Sequence, residues 1–298
     1  MPHKLFLSLV LFTSGVVTCY ASRPGKGYLH ARLATDSSEI PATLLAIDPL
    51  GRRSGRTLDR QLFREIPEGG MSRESIDDDE DGTPGPESLI FDSFEAVDGA
   101  HKFIVTPTTA AFFYLNISAV DTSGNDIPGE VELDVFMEPR TPREFTATLN
   151  FSPGSTMTVV RSITFAILRA SLHSAFTLGQ LGDAKLAAKL DKILAEGERA
   201  LSRKSAKDKH DGGKEAAVEK LREFIKKLEK AAKGEKDDDD EDEKRFVSVQ
   251  ALASLRGDAL TLNAQLKPHH HRDDDKKHDH IAPAKKDGTR RGGGENDR

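Results

Sequence analysis

The stretch Ala111-Phe-Phe-Tyr-Leu-Asn-Ile-Ser-Ala119 decides the fold of the first half of the chain. Phe113, Leu115 and Ile117 stand at alternate positions, and more polar residues stand between them. Apolar residues at every second position are typical of a β-strand, because successive side chains point to opposite faces of a sheet. The stretch therefore predicts a strand with one face on a core.

Other stretches before residue 162 show the same alternation. It is clear at 131–137 and 145–151, and weaker strand candidates lie at 28–33, 42–47, 89–94 and 103–106. Turn sequences such as Asp121-Thr-Ser-Gly-Asn125 separate them. Several short strands separated by turns predict an antiparallel sandwich instead of a parallel α/β sheet.

Beyond Ser162 the apolar residues recur at steps of three and four, which is helical spacing. The four apolar stripes are Phe165 to Phe176, Leu186 to Leu201, Val218 to Ala232 and Leu252 to Leu266. They predict an all-α four-helix bundle, interrupted by two charged connectors at 202–213 and 234–245 that are typical of solvated loops. The predicted fold class is thus a two-domain protein, with an all-β antiparallel sandwich followed by an all-α bundle.

The first 21 residues are typical of an export signal. Lys4 supplies a basic start, Leu5 to Phe12 form an apolar stretch, and small residues before Ser22 favour cleavage after Ala21. The only cysteine of the chain, Cys19, lies inside this signal, so the mature chain has no thiol and no disulfide. We predict a secreted, extracellular protein, with the periplasm as the alternative.

Cys19 has a second interpretation as a lipid-anchored cysteine. The bacterial lipoprotein signal has a small residue just before the cysteine, and Thr18 at that position disfavours an anchor. No other apolar run approaches the roughly 18 residues that a transmembrane helix needs. The sequence therefore predicts no transmembrane segment.

The length of 298 residues, with 37% hydrophobic and 31% charged residues, has room for two globular domains. We predict a signal peptide at 1–21, a sandwich at 22–161, a helical domain at 162–267 and a disordered, charged tail at 268–298. A net charge of −6 argues against a general nucleic-acid binder, which needs a concentrated basic face.

Two parts of the chain resemble modules of exported bacterial proteins. The segments Asp48-Pro-Leu-Gly-Arg-Arg-Ser-Gly55, Glu65-Ile-Pro67, Glu74-Ser-Ile-Asp-Asp-Asp79 and Pro84-Gly-Pro86 resemble a β-sandwich module of secreted multidomain proteins. The region from Thr164 to Leu266 resembles the FIMAH domain. The residues that carry this second resemblance are Ala175-Phe176, Leu178-Gly179-Gln180-Leu181, Lys185 to Leu190, Leu221, Phe224-Ile225, Leu252 and Asp258-Ala259. It implies an accessory, non-catalytic helical module.

An acidic segment is the candidate metal site. Its carboxylates Asp77, Asp79 and Asp81 alternate and precede a glycine, as in the first half of a calcium loop. The twelfth position is Ser88 instead of glutamate, and Pro84 excludes the helix that an EF-hand requires. Two interpretations remain open, a calcium loop of another kind and a solvated acidic turn. Calcium is the one candidate cofactor.

The C-terminal tail carries a second set of metal-binding residue types. Its histidines are His269, His270, His271, His278 and His280, and they stand among aspartates. Such an assortment is able to bind Zn²⁺, Ni²⁺ or Cu²⁺ weakly. Because a tail has no fixed ligand geometry, simple solvation or unspecific chelation is the favoured interpretation, and physiological metal binding is the alternative.

Catalytic patterns are scarce. There is no mature cysteine, no zinc-protease motif, no nucleophile elbow and no glycine-rich phosphate loop. His30, His101 and His173 are the histidines of the predicted folded regions, and His173 is interpreted as a structural or surface residue. We therefore predict a protein that is not an enzyme.

These observations favour a secreted, non-catalytic binding or structural accessory protein. Its sandwich loops or a sheet face would contact an extracellular or cell-surface ligand, and its helical bundle would provide attachment or partner contact. One alternative is an extracellular module stabilised by calcium at Asp77, Asp79 and Asp81. The other is a carboxylate-dependent hydrolase that uses Asp48 or Glu74 with the Asp77 cluster.

Overall fold

Eleven strands and four helices make up the described part of the chain, which in this computed structural model comprises residues 26–77, 84–202, 212–234 and 246–267. The strands are β1 (Gly27–Ala34), β2 (Ala42–Ile47), β3 (Arg53–Arg56), β4 (Leu62–Arg64), β5 (Gly69–Asp77), β6 (Pro84–Ala96), β7 (Gly99–Pro107), β8 (Ala111–Val120), β9 (Val131–Met137), β10 (Arg143–Leu149) and β11 (Thr158–Arg161). The helices are α1 (Phe165–Thr177), α2 (Ala184–Ser202), α3 (Gly212–Ala232) and α4 (Val249–Leu266).

The strands form two antiparallel sheets. A five-stranded sheet has the order β5-β6-β1-β8-β9, and a six-stranded sheet has the order β11-β10-β7-β2-β3-β4. Each of the seven predicted stretches overlaps a strand. Strands β3, β4, β5 and β11 were not predicted, because they are short or rich in glycine and charged residues and lack a clear alternation.

One hydrophobic core lies between the two sheets. Alternate residues of β1 point into it, including Leu29 and Leu33, which are fully buried. From the two facing sheets, Phe91 and Phe103 meet edge to face with their ring centroids 5.7 Å apart. The alternation read from the sequence therefore corresponds to the inner faces of a sandwich.

Helices α1 and α4 each begin at a polar cap that directly precedes them in the chain. The hydroxyl of Thr164 accepts a hydrogen bond from the backbone N–H of Ile167 at 3.1 Å, and the hydroxyl of Ser248 accepts one from Ala251 at 3.0 Å. Each of these bonds satisfies one of the free N–H groups in a first helical turn. Among the described helices, none is long and apolar enough to cross a membrane.

The helices pack against the five-stranded sheet at its edge strand β9. Phe136 of β9 points away from the sandwich core, and it is fully buried together with Phe165, Leu168 and Leu255 of the helices. Phe112 of β8 lies beside it, with 4.6 Å between the ring centroids. The second core is therefore built by the sheet and the helices together.

The predicted fold class is wrong. The described residues form a mixed α+β fold with 5-stranded and 6-stranded sheets and 4 helices, and the part after β11 is not an all-α four-helix bundle. The physical reason is Phe136, which gives the outer side of β9 an apolar surface that the helices cover. The described residues, 26–77, 84–202, 212–234 and 246–267, all belong to one compact unit. The transition from β11 to α1 lies between Arg161 and Phe165, next to the predicted limit at 161/162.

Candidate functional site

Asp48, the first candidate carboxylate for a hydrolase, holds a turn. It is only 4% exposed, and its carboxylate accepts hydrogen bonds from the backbone N–H of Leu50 (3.0 Å) and Arg52 (2.8 Å) and from Nε of Arg52 (2.6 Å). These bonds fix the loop between β2 and β3. Glu74, the second candidate, is an exposed residue of β5.

The turn after β8 has the same design. The carboxylate of Asp121 accepts hydrogen bonds from the backbone N–H of Asn125 (2.9 Å) and Ser123 (2.8 Å), and these bonds lower the pKa of Asp121. In both turns the residue before the last is a glycine with positive φ, +79° at Gly51 and +86° at Gly124. The start of the segment from Asp48 to Gly55, which resembles a sandwich module, thus forms the turn between β2 and β3 in this protein.

The candidate metal ligands lie mostly outside the described residues. Asp77 ends β5, where its backbone pairs with Pro84, while Asp79 and Asp81 are not described. The histidines of the tail and Cys19 also lie outside the described residues. In the part of the chain that is described, no group of three or more His, Cys, Asp or Glu side chains could hold a metal ion.

The three candidate histidines have different surroundings. His101 is 4% exposed, and its Nε2 donates to the backbone oxygen of Val97 at 2.7 Å. Burial lowers the pKa of His101, and this hydrogen bond only partly opposes the effect. His173 is exposed and lies 3.4 Å from Oε1 of Glu138. Neither arrangement combines a base with a nucleophile.

His30 belongs to a polar cluster on the outer face of the five-stranded sheet. Oδ1 of Asp92 accepts hydrogen bonds from Nδ1 of His30 at 2.9 Å and from the Tyr28 hydroxyl at 2.5 Å. Ser118 is the neighbour of His30 on the opposite side, in strand β8. A carboxylate, an imidazole and a hydroxyl therefore stand in one row across three strands. Sequence reasoning missed this row because Asp92 and His30 are 62 residues apart.

A buried ionic cluster joins the sheets to the helices. Asp258 of α4 is fully buried, and its Oδ2 accepts a hydrogen bond from Nη2 of Arg143 at 2.9 Å. The Ser171 hydroxyl contacts Arg143 and donates to the same oxygen at 3.2 Å. Oδ1 faces Nη1 of Arg161 at 3.1 Å, at an angle that does not make a hydrogen bond. Burial lowers the pKa of Arg161, which shows how far this charge is removed from water.

Three loops line an open depression at one end of the sandwich. Thr57, Leu58 and Asp59 come from the β3–β4 loop, Thr108 from the β7–β8 loop and Arg140 from the β9–β10 loop. The depression has a volume of about 620 Å³. A second, smaller groove of about 230 Å³ lies between α1 and α2 and includes His173 and Phe176. The first depression has the larger volume and the more polar lining.

Hydrogen bonds hold the loops of this depression in place. The Thr108 hydroxyl donates to the backbone oxygen of Pro41 at 3.0 Å, and the backbone N–H of Arg140 donates to the oxygen of Pro107 at 2.9 Å. The Thr57 hydroxyl donates to the carboxylate of Asp59. The depression is therefore a preformed surface, with hydroxyl groups, one carboxylate, one guanidinium and one apolar side chain.

Comparison of the chain with models of protein families, with curated proteins and with solved structures gave no match. The resemblances to the sandwich module and to the FIMAH domain therefore stay predictions.

Proposed function

We propose that the chain is an exported, non-catalytic binding protein that contacts an extracellular ligand through the loop end of its sandwich. The loop end is defined here as residues 57–61, 107–110 and 138–142. The observation that carries the proposal is the open depression of about 620 Å³ that these loops line together. A preformed concave surface with a few convergent polar groups is typical of a ligand site.

The chemistry of the lining supports binding more than catalysis. The Asp59 carboxylate is bonded to the Thr57 hydroxyl, and Arg140 is exposed. No histidine lines this depression, and the His30 row lies on the outer face of the five-stranded sheet. The groups at the loop end are therefore hydrogen-bonding and charged groups, and the Thr57 hydroxyl has the Asp59 carboxylate as its partner instead of a histidine.

The helices support the same proposal in a structural way. They cover the outer side of β9, and the loop from 138 to 142 connects β9 to β10. The Ser174 hydroxyl of α1 donates to the backbone oxygen of Met137, at the start of that loop, at 3.0 Å. The helical layer therefore holds one wall of the loop end in position.

A binding experiment with the intact chain tests the proposal. Immobilised cell-surface glycans and extracellular proteins are screened with the protein and with the Leu58→Asp variant. Leu58 is 38% exposed, so this change adds a charge to the depression without opening the core. Leu260→Asp on α4, where the leucine is 40% exposed, is the matched control.

We expect at least one ligand whose binding is lost in Leu58→Asp and kept in Leu260→Asp. Equal retention by all three proteins, or no retention at all, would contradict the loop end as the binding surface. Export is tested separately by expressing the full chain and sequencing the N-terminus of the secreted product. The expected first residue is Ser22.

A further inference from the structure

The loop between β3 and β4 has an arginine where two similar loops have glycine. In the loops at 48–52 and 121–125, the backbone N–H of Gly51 and Gly124 donates to the oxygen three residues earlier, at 2.9 and 3.0 Å. In the loop at 57–61, Arg60 makes the same bond to Thr57 at 3.0 Å and has a φ of +69°. Glycine is the usual residue here, because a side chain disfavours positive φ.

Arg140 repeats this exception in a second type of turn. The turns at 152–155 and 138–141 both have proline second and are closed by a hydrogen bond of 3.2 Å from the fourth N–H to the first oxygen. Their third residues are Gly154, with a φ of +79°, and Arg140, with a φ of +61°. A positive φ at the third position is a feature of the type II turn, which favours glycine there. A Cβ atom at Gly154 would meet no neighbouring atom, so the positive φ, and not lack of space, explains why this residue is glycine.

Both exceptional arginines lie at the loop end. Arg140 lines the depression, and Arg60 belongs to the hairpin whose Thr57, Leu58 and Asp59 line it. Within the described residues, neither arginine side chain takes part in a hydrogen bond or ion pair. The third non-glycine residue with positive φ in the described part is Glu68, just before β5. Its backbone oxygen accepts a hydrogen bond from the backbone N–H of Phe94. The two exposed cations thus keep an unfavourable backbone conformation at the edge of one concave surface, which is an observation that points to a role for their side chains.

We propose that Arg60 and Arg140 bind the anionic groups of an extended acidic polysaccharide. This inference rests on the proposed function of the loop end. A guanidinium offers a planar set of N–H donors that matches the two oxygens of a carboxylate or sulfate. Arg140 lies in the lining and Arg60 follows the lining residue Asp59, so each of two loops carries one such group, which suits a polymer with repeated anions.

The lining favours a glycan over an acidic protein. Protein interfaces are centred on buried aromatic or large apolar anchors, whereas here Leu58 is the single apolar side chain of the lining. Thr57, Thr108 and Asp59 are hydrogen-bonding groups of the kind that sugar hydroxyls pair with. The Asp59 carboxylate accepts a hydrogen bond from the Thr57 hydroxyl, and the two arginines of this hairpin and loop outnumber it.

General electrostatic attraction does not explain such binding. The chain has a net charge of −6, so a polyanion is repelled by the protein as a whole. Binding of a polyanion therefore requires a local cationic site, and it should depend strongly on the residues of that site.

The test uses the intact chain and four immobilised probes at about 150 mM salt, where long-range attraction is screened. The probes are polygalacturonate, dextran sulfate, neutral dextran and poly-glutamate. The variant is the double substitution Arg60→Gly with Arg140→Gly, because glycine accepts positive φ and keeps both turns. Glu68→Gly is the control for the backbone change, and Arg199→Gln on α2 is the control for loss of an exposed positive charge. Thermal melting confirms that each variant is folded.

We expect the wild-type chain to bind polygalacturonate or dextran sulfate, and the carboxylate and sulfate arms identify the preferred anion. The double variant should bind it at least about tenfold more weakly, because it lacks both guanidinium groups that pair with the anions, and both controls should bind like the wild type.

Three outcomes overturn the inference. These are equal binding to neutral dextran, unchanged binding by the double variant, and arginine-dependent binding of poly-glutamate without binding of either polysaccharide. If another ligand then binds in a Leu58-dependent manner, the proposed function stands and this inference alone fails. If no ligand binds in that manner, the proposed function fails as well.

Discussion

Arg143 of β10 and Asp258 of α4 form a buried ion pair, 2.9 Å between Nη2 and Oδ2, across 115 residues of sequence. Both side chains are almost completely removed from water, at 3% and 0% exposure. The pair connects the six-stranded sheet to the last helix. The helical layer is therefore tied to the sandwich by specific polar contacts as well as by the apolar core around Phe136.

Removing the charge of Asp258 should destabilise the protein strongly. In Asp258→Asn, the guanidinium groups of Arg143 and Arg161 lose their buried counterion, and breaking such a pair costs about 3–5 kcal/mol. Urea denaturation followed by circular dichroism measures the free energy of unfolding. Asp191→Asn is the control, because Asp191 pairs with Arg169 at the surface and should contribute less than about 1 kcal/mol. Equal losses in the two variants would contradict a buried pair.

Truncating Phe136 should weaken sheets and helices together. Phe136→Ala leaves a cavity between β9 and the helices, and a loss of about 3–5 kcal/mol is expected for a buried phenylalanine. Hydrogen exchange should speed up in peptides of both α1 and β10, since the unit opens cooperatively. The exposed Phe176→Ala is the control. Loss of protection in the helices alone would instead indicate two independent domains.

The stability of the protein should depend on the charge state of His101. Burial lowers the pKa of His101 below its ordinary value of 6.5, so the folded protein holds the neutral imidazole while the unfolded chain takes up a proton near 6.5. As pH falls through 6.5, the unfolded state binds more protons, and the folded state is destabilised until the lower folded pKa is reached. His101→Gln removes this contribution. Between pH 7 and pH 5, the unfolding free energy of the wild type should therefore fall more than that of the variant. A difference between the two proteins that does not change with pH would refute the prediction.

A left-handed turn glycine should be harder to replace than a left-handed turn arginine. Gly51→Ala forces a side chain into a φ of +79° where no neighbour restricts it, so a loss of about 1 kcal/mol is expected from the backbone alone. Arg60→Gly removes the side chain that disfavours the positive φ, which stabilises the folded state. Glycine also makes the unfolded chain more flexible, and this offsets about 0.5–1 kcal/mol of that stabilisation. Thermal melting should thus show a lower melting temperature for the first variant and little change for the second. A clear loss in Arg60→Gly would mean that the arginine side chain stabilises the loop.

The strands of the sandwich could be predicted where one face alone is buried. The stretches 103–106 and 111–119 lie within β7 and β8, whose residues alternate between buried and more exposed, because the period of two in their side chains directly reflects the inner and outer faces of a sheet. The helices could be predicted for the corresponding reason, since their apolar stripes face a core. Strands such as β3 and β4 were missed, because three or four residues with mixed character contain no period.

Two aromatic residues in the sequence indicate that another layer packs against the sheet. Phe112 and Phe136 stand at positions of β8 and β9 that should have been polar if that face met water. They are directly opposite each other, and helix packing buries Phe136 completely. Two large aromatic residues on a supposed outer face indicate a second layer, but the sequence does not identify which segment supplies it.

The sequence by itself determined the local elements of this protein, because side-chain periodicity and capping or turn residues act over a few positions. Tertiary structure alone decided which elements share a core and which polar residues meet. Asp92 with His30 and Arg143 with Asp258 are pairs between distant segments, and Asp59 and Arg140 line one depression only through the arrangement of the loops. Such contacts depend on strand order and on helix docking, and these follow from the burial of all apolar faces at once instead of from any single stretch of the chain.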